Sequence, residues 1–475
     1  MKKQLLTAFT LLFLGIQVGT AQQKYATGMV FDDADYTIVK KKASLTRGLT
    51  SLPEAASIKQ YAPTPKSQGA YSTCVAWASA YCGKTIVEAI KHNLTDKAAI
   101  TAGAYSPAFL FRLLSPEDTN CAKGTSISNA FELMKGTGLI HFSDLSTICT
   151  PVLSETQLAM APEGKIKDYI RIFDLGADEA TKIQAVKKSI SEQKPVVFGM
   201  LCPDSFNAAK ELWTPKEEPS SSMGGHAMCV VGYDDQKFGG AFEIQNSWGT
   251  NWGLGGYTWI KYADYARFTK YAYEFVDLPE AKAEEADLSG SIRLTLADGK
   301  DMPVGLLTST RGLKVVPAKQ APGPLSVYQT NTEYTSGTRF RILISNNEPA
   351  YVYAISTDLS NEITKIFPFE DGISAALTDK KNDVSIPDED HFIEFDNKPG
   401  KDLLCVLYSR DEIDLNDLIK KIQGQEGSFS ARIFKVLEQK LVAPSNIQFS
   451  KDKIAFQGFS KGKTIIPMIV EMAHK

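Results

Sequence analysis

Gln68-Gly69-Ala70-Tyr71-Ser72-Thr73-Cys74-Val75-Ala76-Trp77 is the stretch from which the rest of the chain can be read. From Cys74 to about Lys91, apolar Val75, Ala78, Cys82, Ile86 and Ile90 recur at three- and four-residue spacing, which predicts a buried amphipathic helix. Ser72 and Thr73, just ahead of it, are good N-cap types. A cysteine at a helix start lies where unpaired backbone N–H groups and the helix dipole favour an anion, so its thiol is drawn toward the thiolate. Position alone does not settle the matter, because a cysteine on a helix is more often a small buried apolar residue. Its partners decide.

The chain has five histidines. His226 follows Met223-Gly224-Gly225 and opens a strand-like run to Tyr233 that would hold its ring rigidly, whereas His92, His141, His391 and His474 read as solvated surface residues. Downstream of His226 comes Gln245-Asn246-Ser247-Trp248-Gly249, then Trp252, Gly255, Gly256 and Tyr257. Seven cysteines leave one unpaired, and Cys74 is the best candidate for a reactive thiol.

These residues resemble the papain-like cysteine peptidases. The nucleophile motif of that family looks like Gln68-Gly69 with Cys74 and Trp77, the histidine motif like His226-Ala227 with Val231-Gly232-Tyr233, and the asparagine motif like Asn246-Ser247-Trp248-Gly249. Leu52-Pro53 resembles the start of the mature domain, Ser106-Pro107 the turn into its second helix, and Gly124-Thr125-Ser126 the wall of the substrate cleft. The resemblance implies an α+β fold of two lobes, one helical and one a β-sheet, over 52–279. It implies Cys74 as nucleophile in a thiolate–imidazolium pair with His226, Asn246 as the residue that holds the ring, and Trp248 as its shield. Gln68 and the N–H of Cys74 would form the oxyanion hole. Gly124, Thr125, Gly225 and Trp248 would line the cleft, whose side-chain-selecting pocket is expected to take its floor from the stretch Tyr262 to Tyr271. No cofactor or metal is implied. Tyr71 and Val75 stand where the family commonly has a cysteine and a tryptophan, so one usual disulfide is absent; a bridge between Cys121 and Cys149 is implied in place of the other. Cys82, Cys202, Cys229 and Cys405 read as buried free thiols.

The 475 residues, 43% hydrophobic, suffice for more than one core. Lys plus Arg (52) nearly balance Asp plus Glu (55), so nothing drives the chain toward nucleic acid. Lys2 and Lys3 precede the apolar run Leu5 to Ile16, and Gly19-Thr20-Ala21 supplies small residues for a cut before Gln22: residues 1–21 read as a signal peptide, and the mature chain as exported, whether periplasmic, cell-surface or secreted, with no integral membrane segment left. Residues 22–51 are too short for the family's full inhibitory prodomain and are expected to be an extended arm, either a plug in the cleft or, the favoured reading, an extra strand. Helices are predicted over Ser126–Lys135 and Ala180–Gln193, and strands over Val196–Leu201, His226–Tyr233, Ala241–Asn246 and Gly256–Lys261, a helical half followed by a sheet half.

The charged, alanine-rich 280–287 is expected to be a linker, and 288–475 a β-rich, sandwich-like accessory domain with one helix near Leu415–Ile422. With Tyr334-Thr335-Ser336-Gly337, Tyr351-Val352-Tyr353, Ile366-Phe367-Pro368 and Val384-Ser385-Ile386-Pro387, that domain resembles, more weakly, a bacterial domain family of unknown function. Because every catalytic motif precedes the linker, a chain ending near Asp287 is expected to work alone. His391 among Asp388, Glu389 and Asp390 admits a cation site, but a solvated acidic loop is the favoured reading. The reading reached is a bacterial-type exported cysteine endopeptidase acting on peptide or protein substrates. The alternatives are a catalytically silent peptide binder of the same fold, and a thiol amidase or transpeptidase of cell-wall peptides.

Overall fold

The computed structural model describes residues 25–43, 52–149, 152–277, 285–307, 325–358, 362–378, 383–388 and 390–475. The expected signal peptide (1–21), most of the expected linker (280–284) and Glu389 lie outside the described residues.

The helix that begins at Cys74 runs through three consecutive segments, Cys74–Ala76, a π-helical Trp77–Lys84 and Thr85–Lys91. It is enclosed on all sides rather than along one stripe: every residue from Cys74 to Val87 is buried. Its N-cap is Thr73, which caps without a side-chain hydrogen bond. Around it pack Pro107–Leu114, capped by Ser106 Oγ on the Phe109 N–H, and Ile127–Gly136, capped by Ser126 on the Asn129 N–H. Glu179–Ser191 carries the same device at Asp178.

Beside the helix lies an eight-stranded sheet in the order Asp168–Arg171, Thr269–Val276, Val196–Cys202, Gly224–Asp234, Ala241–Gln245, Tyr257–Lys261 and Leu212–Trp213, with Ala55–Ser57 pairing Gly224–Asp234. The division into a helical half and a sheet half is therefore corrected: Ala55–Ser57 and Asp168–Arg171 reach the sheet from the first half, and Tyr262–Phe268 is a helix in the second. Unpaired strand edges explain it: Asp168–Arg171 covers the outer edge of Thr269–Val276, and Ala55–Ser57 pairs residues 232–234, beyond the stretch 224–230 that Val196–Cys202 covers. Over 52–277 helices gather on one side of the central helix and the sheet on the other, the two-lobed α+β arrangement expected. A disulfide joins Cys121 to Cys149, Cα–Cα 5.6 Å.

From Leu288 onward two sheets, of seven and six strands, face each other across one apolar cluster that includes Leu294, Ile342, Val352 and Val406. Arg339–Asn346 shows why: its residues alternate buried and less buried along the strand, the period-two pattern of a sheet with one face in a core. Helices Leu415–Gln423 and Phe429–Leu437, the second not anticipated, cover the outer face of the seven-stranded sheet. Ile170 and Val276 of the first domain are buried in that same outer cluster with Tyr351, Ile355 and Leu407. The two domains thus share buried apolar surface, against the expectation of an independent module.

His474 corrects the reading of it as a surface residue. Its ring is buried, stacked on Phe395 at 5.2 Å, with Nδ1 2.5 Å from Asp402 Oδ2, because the last strand runs through the middle of the seven-stranded sheet. His391 is exposed, its Nδ1 on the Asp388 carboxylate at 2.7 Å. Cys82, Cys229 and Cys405 are buried free thiols; Cys202 is only partly covered.

The arm departs most from expectation. Residues 25–43 are not uniformly extended: Asp33–Ile38 is a short helix capped by Asp32, with Tyr36 fully buried beneath it. Nor is the arm merely an added strand, since its first residues run across the cleft described next.

Candidate active site

His226 lies near the start of Gly224–Asp234, in the centre of the sheet and paired with Met200 of the neighbouring strand. Asn246 follows the adjacent strand Ala241–Gln245 directly. The two side chains meet: the His226 Nε2–H donates to Asn246 Oδ1 at 2.8 Å, an oxygen that also accepts the Ser247 N–H at 2.7 Å. Trp248 stacks on the imidazole at 4.6 Å and 25°, so the ring is held in plane as well as in direction. His226 Nδ1 is buried without a hydrogen-bond partner, the nitrogen left over for a proton once Nε2 is committed.

Gln68 is tied to the same loop. Its N–H donates to Ser247 O at 2.8 Å and its Oε1 accepts from Ser247 Oγ at 2.6 Å, while Ser67 bridges Trp248. Its Nε2 is thereby turned inward, to Tyr71 O at 2.8 Å and Ala26 O at 3.1 Å. Cys74 heads the central helix beside the Ala227 N–H, the residue after His226. The structure thus gathers Gln68, Cys74, His226, Asn246 and Trp248 from distant parts of the chain into one buried locus.

The arm covers that locus. Ala26 O accepts from Gln68 Nε2 and from Trp248 Nε1 at 2.9 Å, and Tyr25 stacks on Trp248 at 4.8 Å and 8°. The N–H groups of Gly28 and Met29 donate to Gly225 O at 3.2 and 3.0 Å; the Val30 N–H donates to Thr125 O at 2.9 Å, and the Thr125 N–H to Gly28 O at 2.9 Å. Gly124 packs under Val30 and Gly28. All four residues expected to line the cleft, Gly124, Thr125, Gly225 and Trp248, therefore touch one extended segment. Gly28 must be glycine for this path, since a Cβ there would overlap the Ser72 carbonyl. Met29 is buried with its thioether against Gly199 and near Ile127. Neither lies in the stretch Tyr262 to Tyr271 expected to form the pocket floor; Tyr271 instead meets Phe31 edge-on at 5.2 Å. Asn207, whose Oδ1 takes the Tyr25 N–H at 2.8 Å, was also missed. A glycine inside an otherwise apolar strand was the available signal for Gly199, because such a gap marks close approach of another group.

With the arm seated, Cys74 and His226 are fully enclosed. Burial pushes the Cys74 thiol up to about 12, offset in part by the Ala227 N–H, and pushes the imidazole down to about 4 against the opposing effect of Asn246. In this enclosed site burial thus works against the charged form of both groups. No group of three metal-ligating side chains occurs among the described residues, and no helix among them is long and apolar enough to cross a membrane.

Residues 67–273 match the sequence model described as papain family cysteine protease, and 333–412 match the Domain of unknown function (DUF4384). A stretch of 103 residues is 33% identical to an uncharacterized peptidase C1-like protein of Acanthamoeba polyphaga mimivirus; it amounts to 20% of this chain and 32% of that protein, so the chain spans about a third of the curated relative's length. Among solved structures, xylellain, a cysteine protease from Xylella fastidiosa, is 21% identical with a TM-score of 0.43, covering 54% of this chain and 97% of its own. The bromelain protease from Ananas comosus, in complex with the E64 inhibitor, is 16% identical with a TM-score of 0.38, covering 47% of this chain and 98% of its own.

Proposed function

We propose that the chain is an exported cysteine endopeptidase that cleaves peptide bonds through Cys74, His226, Asn246 and Gln68, the observation carrying this being the His226 ring, clamped by Asn246 and Trp248 with Nδ1 left unpartnered, on the strand whose next residue, Ala227, turns its N–H to Cys74. In the opened cleft Nδ1 takes the Cys74 proton, and the thiolate attacks the scissile carbonyl, forming a C–S bond. The oxyanion is met by Gln68 Nε2 and the Cys74 N–H, groups that cost no reorganisation because Ser247 and the helix start already fix them. His226 returns the proton to the leaving amine as the C–N bond breaks. Water then attacks the thioester, giving its proton to His226, and the acid product leaves as the thiol reforms. A peptide substrate is supported by the way Gly225 and Thr125 bind the backbone of residues 28–30. The match to a papain family cysteine protease over 67–273 supports the reaction class.

The test is hydrolysis of a fluorogenic peptide library by the full chain and by Cys74→Ala. Turnover lost in the variant, with its fold intact, supports the reading. Turnover that survives refutes it, and a full chain that binds peptides without cleaving them after the arm is opened favours the silent binder.

A further inference from the structure

We propose that the C-terminal domain is the latch that keeps the N-terminal arm in the cleft, so that the cleft opens when residues 40–43 are released from that domain. The proposal rests on the reading of the cleft as a peptidase site only for its consequence, since the latch itself is a matter of contacts.

The described part of the arm, 25–43, is held by the first domain at its start and by both domains at 40–43. Its first end, residues 25–30, is the cleft-filling segment. Its last end is wedged at the domain seam. The Arg171 N–H donates to Lys40 O at 3.0 Å and the Lys42 N–H to Arg171 O at 2.8 Å on the peptidase side. On the other side the Lys41 N–H donates to Gly372 O at 2.7 Å, and the Ser374 N–H to Lys41 O at 2.8 Å. Lys41 is thus bridged to Arg171 and to Ile373 at once. Lys40 pairs with Glu412 of the C-terminal domain. Ala43 is buried inside that domain's own apolar cluster. Lys42 Nζ pairs at 2.9 Å with the fully buried Glu274, whose other oxygen takes Thr378 Oγ1 of the C-terminal domain at 3.2 Å.

The ends are coupled by the middle. Asp33–Ile38 has six residues, too few to be a stable helix by itself. It stands because Tyr36 stacks on Tyr271 at 4.4 Å and donates to Phe173 O at 2.7 Å, and because Asp33 is held by Lys270 at 3.0 Å and by Tyr271. Phe31, Asp33 and Tyr36 all converge on Tyr271, and Arg171 Nε reaches back to Val39 O at 2.7 Å. Freeing 40–43 removes the anchor that directly follows the helix and leaves this short helix held through Asp33 and Tyr36 alone, and its loosening on Tyr271, which Phe31 also touches, carries the loss to residues 25–31. A partner that parts the seam between the domains would therefore open the cleft without cutting the chain.

Amide hydrogen exchange on the full chain tests this without relying on activity. In Ala43→Glu a carboxylate would have to be buried in the apolar cluster, so the end of the arm leaves it. Glu412→Gln, which removes the charge facing Lys40 and, at 3.8 Å, Lys135 while keeping the side chain's shape, is the gentler second variant should the first fail to fold. Peptides covering 40–43 should exchange faster, and peptides covering 25–31 at least fivefold faster, with the central sheet unchanged. Exchange of 25–31 within twofold of wild type while 40–43 is freed would overturn the latch, as would 40–43 remaining protected in Ala43→Glu. Labelling of Cys74 by an epoxide inhibitor separates the two claims: a freed arm with no adduct leaves the latch standing and refutes the peptidase reading.

Discussion

Replacing Gly28 by valine should open the cleft from its own end. A Cβ at position 28 would lie 2.6 Å from Ser72 Cα, and closer still to the Ser72 carbonyl, where ordinary carbon contact begins near 3.5 Å. Ser72 precedes the central helix and its N–H is committed to Cys121 O at 2.8 Å, so the arm must be the part that moves. A retreat of about 1 Å carries the Gly28 and Met29 bonds to Gly225, and the Thr125 bond to Gly28, out of hydrogen-bonding range. At about 0.5–1.5 kcal/mol net for each, the seated arm loses about 1.5–4.5 kcal/mol, roughly 10- to 10³-fold in the open population. The assay is the second-order rate of Cys74 alkylation by iodoacetamide, read by peptide mapping with the partly covered Cys202 as internal reference. A rate that rises at least tenfold at Cys74 alone is expected. A Cys74 rate within twofold of wild type would refute the account of the arm as the lid on this thiol.

On the Gly28→Val background, Gln68→Ala should lower kcat by roughly 10²- to 10³-fold with KM little changed, because its Nε2 acts on the oxyanion rather than the ground-state peptide; steady-state kinetics check this. The imidazole of His226 is held near 4 in the closed state against an ordinary 6.5, so its contribution to the seated arm is present above pH 6.5 and is lost as pH falls toward 4. Exchange of residues 25–31, corrected for intrinsic rates, should therefore accelerate between pH 7 and pH 4.5, and less so in His226→Gln. A chain ending at Asp287 should aggregate, since it exposes Ile170 and Val276 and removes the partners of Lys41 and Ala43; a soluble, monomeric product by light scattering would contradict the shared interface.

What could be read from the sequence was what is local. Gln68, Cys74, His226 and Asn246 sit in short stretches that the structure brings to one buried locus, and the run from Cys74 to Lys91 is helical over that span. Periodicity marked one apolar stripe on that helix; it did not reveal that Trp77, Tyr81 and Lys84 are buried as well, because burial on the remaining faces comes from elements far away in the chain. The path of the arm was illegible for the same reason. Gly28 and Met29 lie in a mixed polar stretch with no period, and their role exists only against Ser72, Gly199 and Gly225. His474 looked like a terminal residue in water because nothing near it in sequence announces the central strand it occupies. The seam was invisible too, since Ile170 and Val276 read as ordinary strand residues of the first sheet.

The claim that Cys74 is the nucleophile is tested most directly by intact-mass analysis of the full-length Gly28→Val protein after treatment with an E64-type epoxide. One adduct per chain, mapped to Cys74 and absent from the same protein carrying Cys74→Ala, is the predicted result. No adduct, or label divided among Cys82, Cys202, Cys229 and Cys405, would contradict it.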